Sequence, residues 1–230
     1  MNISEIFYTI QGEGIHVGTP STFIRTSGCN LRCDWCDTPY TSWEPETNKM
    51  DIEQIMEQVN KVTAENASHI VITGGEPFLQ PDLGELVKDL HDQNYFVTIE
   101  TNGTVYKEVG ADIYSVSPKL ANSTPTKERD KFWSERHEKL RINYESLEKF
   151  VEHPSSYFKF VIQTKEDLNE VDDLITKLDI SNERIYLMPE GRTKDEVQSK
   201  THEIIDLCKD RGFNFSPRLH IDIWGTKRGV

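Results

Sequence analysis

At 230 residues the chain has room for one large domain, and neither a linker nor an apolar run of membrane-spanning length divides it, which predicts a single soluble unit over residues 1–230 that does not enter a membrane. The formal net charge of −13, from 39 acidic against 26 basic residues, repels a phosphate backbone and excludes nucleic acid as the expected partner. Four cysteines are too sparse for a secreted disulfide scaffold, and no charged-then-apolar leader opens the chain, so reduced thiols and a cytoplasmic location are expected.

In chain order, the first break in an apolar stretch is Gln11-Gly-Glu-Gly14, two glycines around a carboxylate, which suits a hairpin turn or a ligand contact. A first strand is predicted over Thr22–Thr26. Arg25 sits inside it, and a charge in an apolar strand needs a partner. Its planar fork suits a carboxylate, of the protein or of a ligand. Next comes Cys29-Asn-Leu-Arg-Cys33-Asp-Trp-Cys36. Three thiolates this close can hold three corners of a [4Fe-4S] cubane and leave the fourth iron open, whereas electron-transfer clusters take four cysteines. A closed zinc site needs four ligands; the remaining cysteine, Cys208, lies far downstream, and a histidine would have to complete the set. Asp37-Thr38 abuts this loop and offers oxygen to a hard cation such as Mg²⁺.

Asp51 is placed to cap a helix with Ile52, Ile55, Met56, Val59 and Val62 on one face. A strand at His69–Ile72 leads into Thr73-Gly-Gly-Glu-Pro77, where paired glycines let a ligand approach the backbone. A helix through Leu83, Leu86, Val87 and Leu90 follows. Strands at Phe96–Ile99 and Ile113–Val116 run into Glu100-Thr-Asn-Gly103 and Ser117-Pro118-Lys119. The sign-alternating run Lys127–Arg141 reads as a solvated helix or lid. Strands at Phe158–Ile162 and Arg184–Leu187 are separated and followed by helices through Leu168, Val171, Leu174, Ile175 and Leu178, then Val197, Thr201, Ile204, Ile205 and Cys208. Cys208 therefore falls on an apolar helical face, as a core thiol.

Repeated βα units predict an α/β fold with a parallel sheet and right-handed crossovers. About six units are too few for a closed eight-fold barrel, so a partial, open TIM-like barrel is expected, with the polar and glycine-rich clusters at the carboxyl ends of its strands.

The spacing C-x3-C-x2-C resembles that of radical S-adenosylmethionine (SAM) enzymes. Together with Glu5-Ile-Phe-Tyr-Thr-Ile-Gln-Gly-Glu-Gly14, Cys36-Asp-Thr38, Thr73–Pro77, Glu100–Gly103, Ser117–Lys119 and a late His220, it makes nearly the whole chain similar to the 7-carboxy-7-deazaguanine synthase family. The resemblance implies a modified radical SAM core, a homodimer, and a carbon–nitrogen lyase of the 7-cyano-7-deazaguanine pathway to queuosine or archaeosine. It implies hydrogen abstraction at C6 of 6-carboxy-5,6,7,8-tetrahydropterin, ring contraction and loss of ammonia, with a [4Fe-4S] cluster, SAM, Mg²⁺ and an external flavodoxin or ferredoxin as electron donor. By the same resemblance, Ile10, Gln11, Gly12, Glu13, Arg25, Thr73 and His220 contact substrate. Trp35, Asp37, Gly75, Ser117, Pro118 and Lys119 contact SAM, Cys29, Cys33 and Cys36 ligate the cluster, and Thr38 ligates Mg²⁺. The chain departs from the family at Arg218-Leu219-His220, where a Thr-His element is usual, and in a longer tail from Trp224 to Val230. The alternatives are another radical SAM enzyme, such as a glycyl-radical activase, and a non-enzymatic zinc-binding module.

Overall fold

The computed structural model describes residues 1–230. Eight strands form one sheet in the order of the chain: β1 (Ile3–Ile10), β2 (Pro20–Thr26), β3 (His69–Gly74), β4 (Phe96–Thr101), β5 (Ile113–Val116), β6 (Ser156–Ile162), β7 (Ile185–Pro189) and β8 (Asn214–Phe215). Strand β1 pairs antiparallel with β2, and every later pair is parallel. Strands β1 and β8 stay at opposite edges, so the barrel is open, as the count of βα units predicts. The six predicted strands are present, shifted by a few residues at their ends. Two more flank them, so the predicted first strand is the second. Strand β1 lies at an edge and is half-buried along nearly its whole length, without the fully buried run that marks an interior parallel strand.

Helices cover the sheet: α1 (Ile52–Val62), α2 (Leu83–Asp92), α3 (Lys127–Leu140), α4 (Tyr144–Glu152), α5 (Leu168–Leu178), α6 (Lys194–Arg211) and α7 (Leu219–Trp224). Asp51 caps α1 by accepting from Gln54 N, and the Gln54 side chain accepts from Asp51 N, a reciprocal capping box. The apolar stripes of α1, α2, α4, α5 and α6 meet the sheet in a core of 33 buried residues that includes Cys208. The connection from β4 to β5, residues 102–112, carries no helix. The charged run is indeed helical, as α3, but its backbone breaks at Asp130 and it buries Ser134 and His137. It is therefore packed on one side, not wholly solvated. Helices α4 and α7 were not foreseen from periodicity.

Candidate active site

The parallel strands deliver their carboxyl ends to one cavity of about 340 Å³. Neighbouring strands are in register there: Arg25 on β2 lies opposite Thr73 on β3, and Glu100 on β4 opposite Ser115 on β5. The loop after β2 brings Cys29, Cys33 and Cys36 to this cavity, beside Trp35, Asp37 and Thr38. Ile10 enters from the end of β1, Gln11, Gly12 and Glu13 from the β1–β2 connection, Gly75 from the β3 loop, Ser117 and Lys119 from the β5 loop, and His220 from α7. Of the residues expected at the site, Pro118 alone stands back from the wall; it lies between Ser117 and Lys119, whose side chains bond each other at 2.7 Å.

The cysteine loop is held mainly by its backbone. Glu76 N donates to Gly28 O at 2.9 Å, and Gly28 N to Thr41 O at 2.9 Å. A Cβ on Gly75 would lie 2.1 Å from Gly28 O. The paired glycines thus have a packing role beside any ligand contact: they let the β3 loop lie flush against the start of the cysteine loop. Glu76 is wholly buried and ties three segments together, accepting from Phe78 N (3.1 Å), Thr101 Oγ1 (2.8 Å) and Asn102 N (2.8 Å). Burial pushes its carboxyl up to about 7 against those bonds. All four cysteines are free. Burial pushes the Cys29 thiol up to about 12 and Cys33 upward as well, and the charges of the neighbouring cysteines add to both. Three thiols facing one cavity ionise together only where positive charge compensates them, which an iron–sulfur cluster would supply, so the donor set fits that group. No three His, Cys, Asp or Glu side chains converge tightly enough to hold a single metal ion. Cys208 lies on α6 with its thiol donating to Asn214 O at 3.4 Å, outside the cavity.

The opposite wall is built from ion pairs. Glu13 accepts from Lys159 Nζ and from Arg218 Nε (3.2 Å), and His220 Nε2 lies 3.8 Å from it. Burial would raise the Glu13 carboxyl, but Lys159, Arg218 and His220 outweigh it and hold it well below the usual carboxylate range. Arg218 also donates to Asp37 and to Gly191 O, so one buried guanidinium joins the hairpin, the cysteine loop and the end of β7. Asp37 is thereby committed to Arg218 within the chain. Glu100 orients two expected substrate contacts, accepting from Gln11 Nε2 at 3.0 Å and from Thr73 Oγ1 at 2.7 Å. Arg25 Nε donates to Glu5 Oε1 at 2.7 Å, which leaves its terminal nitrogens to the cavity. Glu5 is also approached by Tyr40 (3.0 Å) and by Arg228 (3.4 Å), whose guanidinium lies 3.7 Å from the Tyr40 ring centroid. The tail from Gly225 to Val230 consequently lines the cavity.

Lys159, Glu100 and Arg218 were not among the expected site residues. Lys159 interrupts Tyr157-Phe-Lys-Phe-Val-Ile162, and the reasoning that singled out Arg25 in an apolar strand applies to it equally.

Residues 23–178 match the radical SAM superfamily. A curated 7-carboxy-7-deazaguanine synthase of Halobacterium salinarum is 41% identical over 96% of this chain and 90% of its own length. That of Rhodopirellula baltica is 36% identical, covering 99% of this chain and 88% of the relative. The chain belongs to the radical SAM 7-carboxy-7-deazaguanine synthase family. The crystal structure of QueE from Escherichia coli superposes with a TM-score of 0.69 at 27% identity, covering 95% of this chain and 94% of that one. The family's cluster and SAM fit the three free thiols and the glycine-lined wall beside them.

Proposed function

We propose that the protein converts 6-carboxy-5,6,7,8-tetrahydropterin to 7-carboxy-7-deazaguanine, as a carbon–nitrogen lyase. The observation that carries this reading is the meeting, in one cavity, of the three-cysteine loop with Gln11, Thr73, Glu100 and Arg25, a polar set suited to a small heterocyclic acid. A glycyl-radical activase would have no use for that set.

Cys29, Cys33 and Cys36 would hold the [4Fe-4S] cluster, and Trp35, Gly75, Ser117 and Lys119 would border SAM. When bound, the two supply a carbon-centred radical able to take a hydrogen atom from substrate. The residues of the chain position the substrate. The free nitrogens of Arg25 receive its carboxylate. Glu100 accepts from Gln11 and Thr73 and so fixes which edge each presents to the pterin ring. Lys159 and Arg218 keep Glu13 ionised and rotationally fixed, and the tail adds to the lining of the cavity. Thr38 is our candidate Mg²⁺ contact. A hydroxyl alone is a weak ligand for a hard cation, so the substrate carboxylate and waters complete the shell. We further assign the protein to the cytoplasm as a homodimer reduced by a flavodoxin or ferredoxin; no helix is long and apolar enough to cross a membrane.

Anaerobic incubation of the iron-loaded protein with 6-carboxytetrahydropterin, SAM, Mg²⁺ and dithionite, followed by mass spectrometry, tests the reading. The deazaguanine product is expected. SAM cleavage without conversion of the pterin would overturn the substrate assignment.

A further inference from the structure

We propose that the face formed by the cysteine loop and α3 is the docking surface for an acidic one-electron carrier protein, an inference that rests on the radical SAM reading above. The surface arginines of this acidic chain mostly have carboxylate partners: Arg129 with Asp34 at 2.7 Å, Arg141 with Glu138 at 2.6 Å, Arg228 with Glu46 at 2.7 Å, and Arg211 with Asp172. Four do not: Arg184 and Arg192 are taken up by backbone carbonyls, and the other two, Arg32 and Arg136, share one site. Neither meets a carboxylate, and both lie against the same ring, their guanidinium carbons 4.1 and 5.6 Å from the Trp133 centroid. Two like charges gathered on one tryptophan, in a protein with acids to spare, form a receptor for an external anionic surface.

The location is specific. Arg32 NH1 donates at 2.8 Å to the carbonyls of Cys29 and Leu31, so this cation is fixed to the backbone of an expected cluster ligand. Its own N–H donates to Nδ1 of buried His137 at 3.1 Å, and the other His137 nitrogen meets Ser123 Oγ at 2.9 Å. This fastens α3 to the loop, so the two elements present one preorganised face. Phe132 adds an apolar centre: it is 65% exposed, the most exposed of the large hydrophobic side chains, and its ring stands edge-on to Trp133 at 5.5 Å. The segment Lys127–Arg141 carries six basic residues against four acidic, opposite in sign to the chain as a whole. An aromatic centre with a basic rim is the usual composition of a transient electrostatic interface. The partner it fits is a small protein with an acidic surface around its redox group, which would bring that group beside the cysteine loop.

The test compares wild type with Arg136→Glu and with Phe132→Ser, neither of which touches the cavity. Each holoenzyme is titrated with a flavodoxin that supports wild-type turnover, and SAM cleavage is followed with that flavodoxin and with dithionite. Arg136→Glu is expected to weaken flavodoxin binding and flavodoxin-driven cleavage about tenfold at low salt, with the difference shrinking as salt rises. Phe132→Ser should produce a smaller loss that salt does not remove. Dithionite-driven cleavage should stay within about twofold of wild type. Equal losses with both reductants, unchanged flavodoxin affinity, or a change in oligomeric state in place of affinity would each overturn the proposal. Because SAM cleavage is scored without reference to the pterin, the docking face can fail while the substrate assignment stands, and the reverse.

Discussion

The two walls of the cavity solve the same problem, fixing polar groups in a buried space, by different means. The cysteine wall is one short segment held through backbone carbonyls and amides, and its thiols lie within eight residues of sequence. The opposite wall draws on Glu13, Lys159, Arg218 and His220, where Glu13 is 146 positions from Lys159 and 205 from Arg218, and it is held by side-chain charge. The spacing of the first wall's thiols is set locally, although its backbone also needs the close approach of Gly75. The second depends on every member, because removing one charge leaves its partner buried and uncompensated. Arg218, which reaches both Glu13 and Asp37, is the one side chain that couples them.

The sharpest break between the walls comes from the ligands themselves. Cys33→Ala is expected to abolish both the iron–sulfur absorbance and SAM cleavage. Cys208→Ala, equally free and buried, should retain both and lose about 1 kcal/mol of stability to a small cavity. Iron and sulfide analysis with chemical denaturation separates the two, and equal iron loss would return Cys208 to the ligand set.

On the charged wall, Lys159→Met removes the buried cation that pairs with Glu13. A stability loss of about 3 kcal/mol is expected by urea denaturation, with a raised substrate KM and intact SAM binding. Were stability unchanged, the wall would be decorative and the contrast would collapse.

Arg25 lies between the two behaviours, because Glu5 already holds its Nε. Arg25→Lys keeps a charge but loses the fork, so substrate KM should rise about tenfold while SAM affinity is spared. Steady-state kinetics and SAM titration read the two quantities separately; an equal loss of SAM affinity would move Arg25 to the other half of the site.

A smaller effect is expected at Thr38. Thr38→Ala should blunt the response of turnover to added Mg²⁺ while the cluster still assembles. Identical Mg²⁺ titrations for the two proteins would leave the residue with only its hydrogen-bonded turn, in which its carbonyl accepts from Thr41 N and Oγ1.

The least costly change lies at the far end of the barrel. His69, at the start of β3, meets Ser21 Oγ at 2.7 Å and Thr98 Oγ1 at 2.9 Å, and burial, aided by His16, lowers it from 6.5 to about 4. The folded protein therefore binds fewer protons here than the unfolded chain, and stability is lost as pH falls from about 6.5 towards about 4. Thermal melts between pH 7 and 5 should show this slope, and His69→Asn should reduce it by about half, since burial lowers His137 to about 4 as well.

The sequence by itself determined what depends on near neighbours. The cysteine spacing, the Asp51 capping box, the apolar stripes of α1, α2, α5 and α6 and the interior parallel strands are all contained within short windows, so a one-dimensional pattern carries them. It also supplied the open barrel, since too few βα units exist to close one. Tertiary structure alone decided which distant charges meet. Lys159 reads as a flaw in a strand until Glu13 arrives from the first hairpin, and Arg218 as a departure from its family until Asp37 and Gly191 stand beside it. The edge strands β1 and β8 and the tail along the cavity wall are likewise fixed from outside their own windows. Their positions are set by pairing with other segments, and a partner that lies outside a segment's own window leaves no periodicity in the segment it selects.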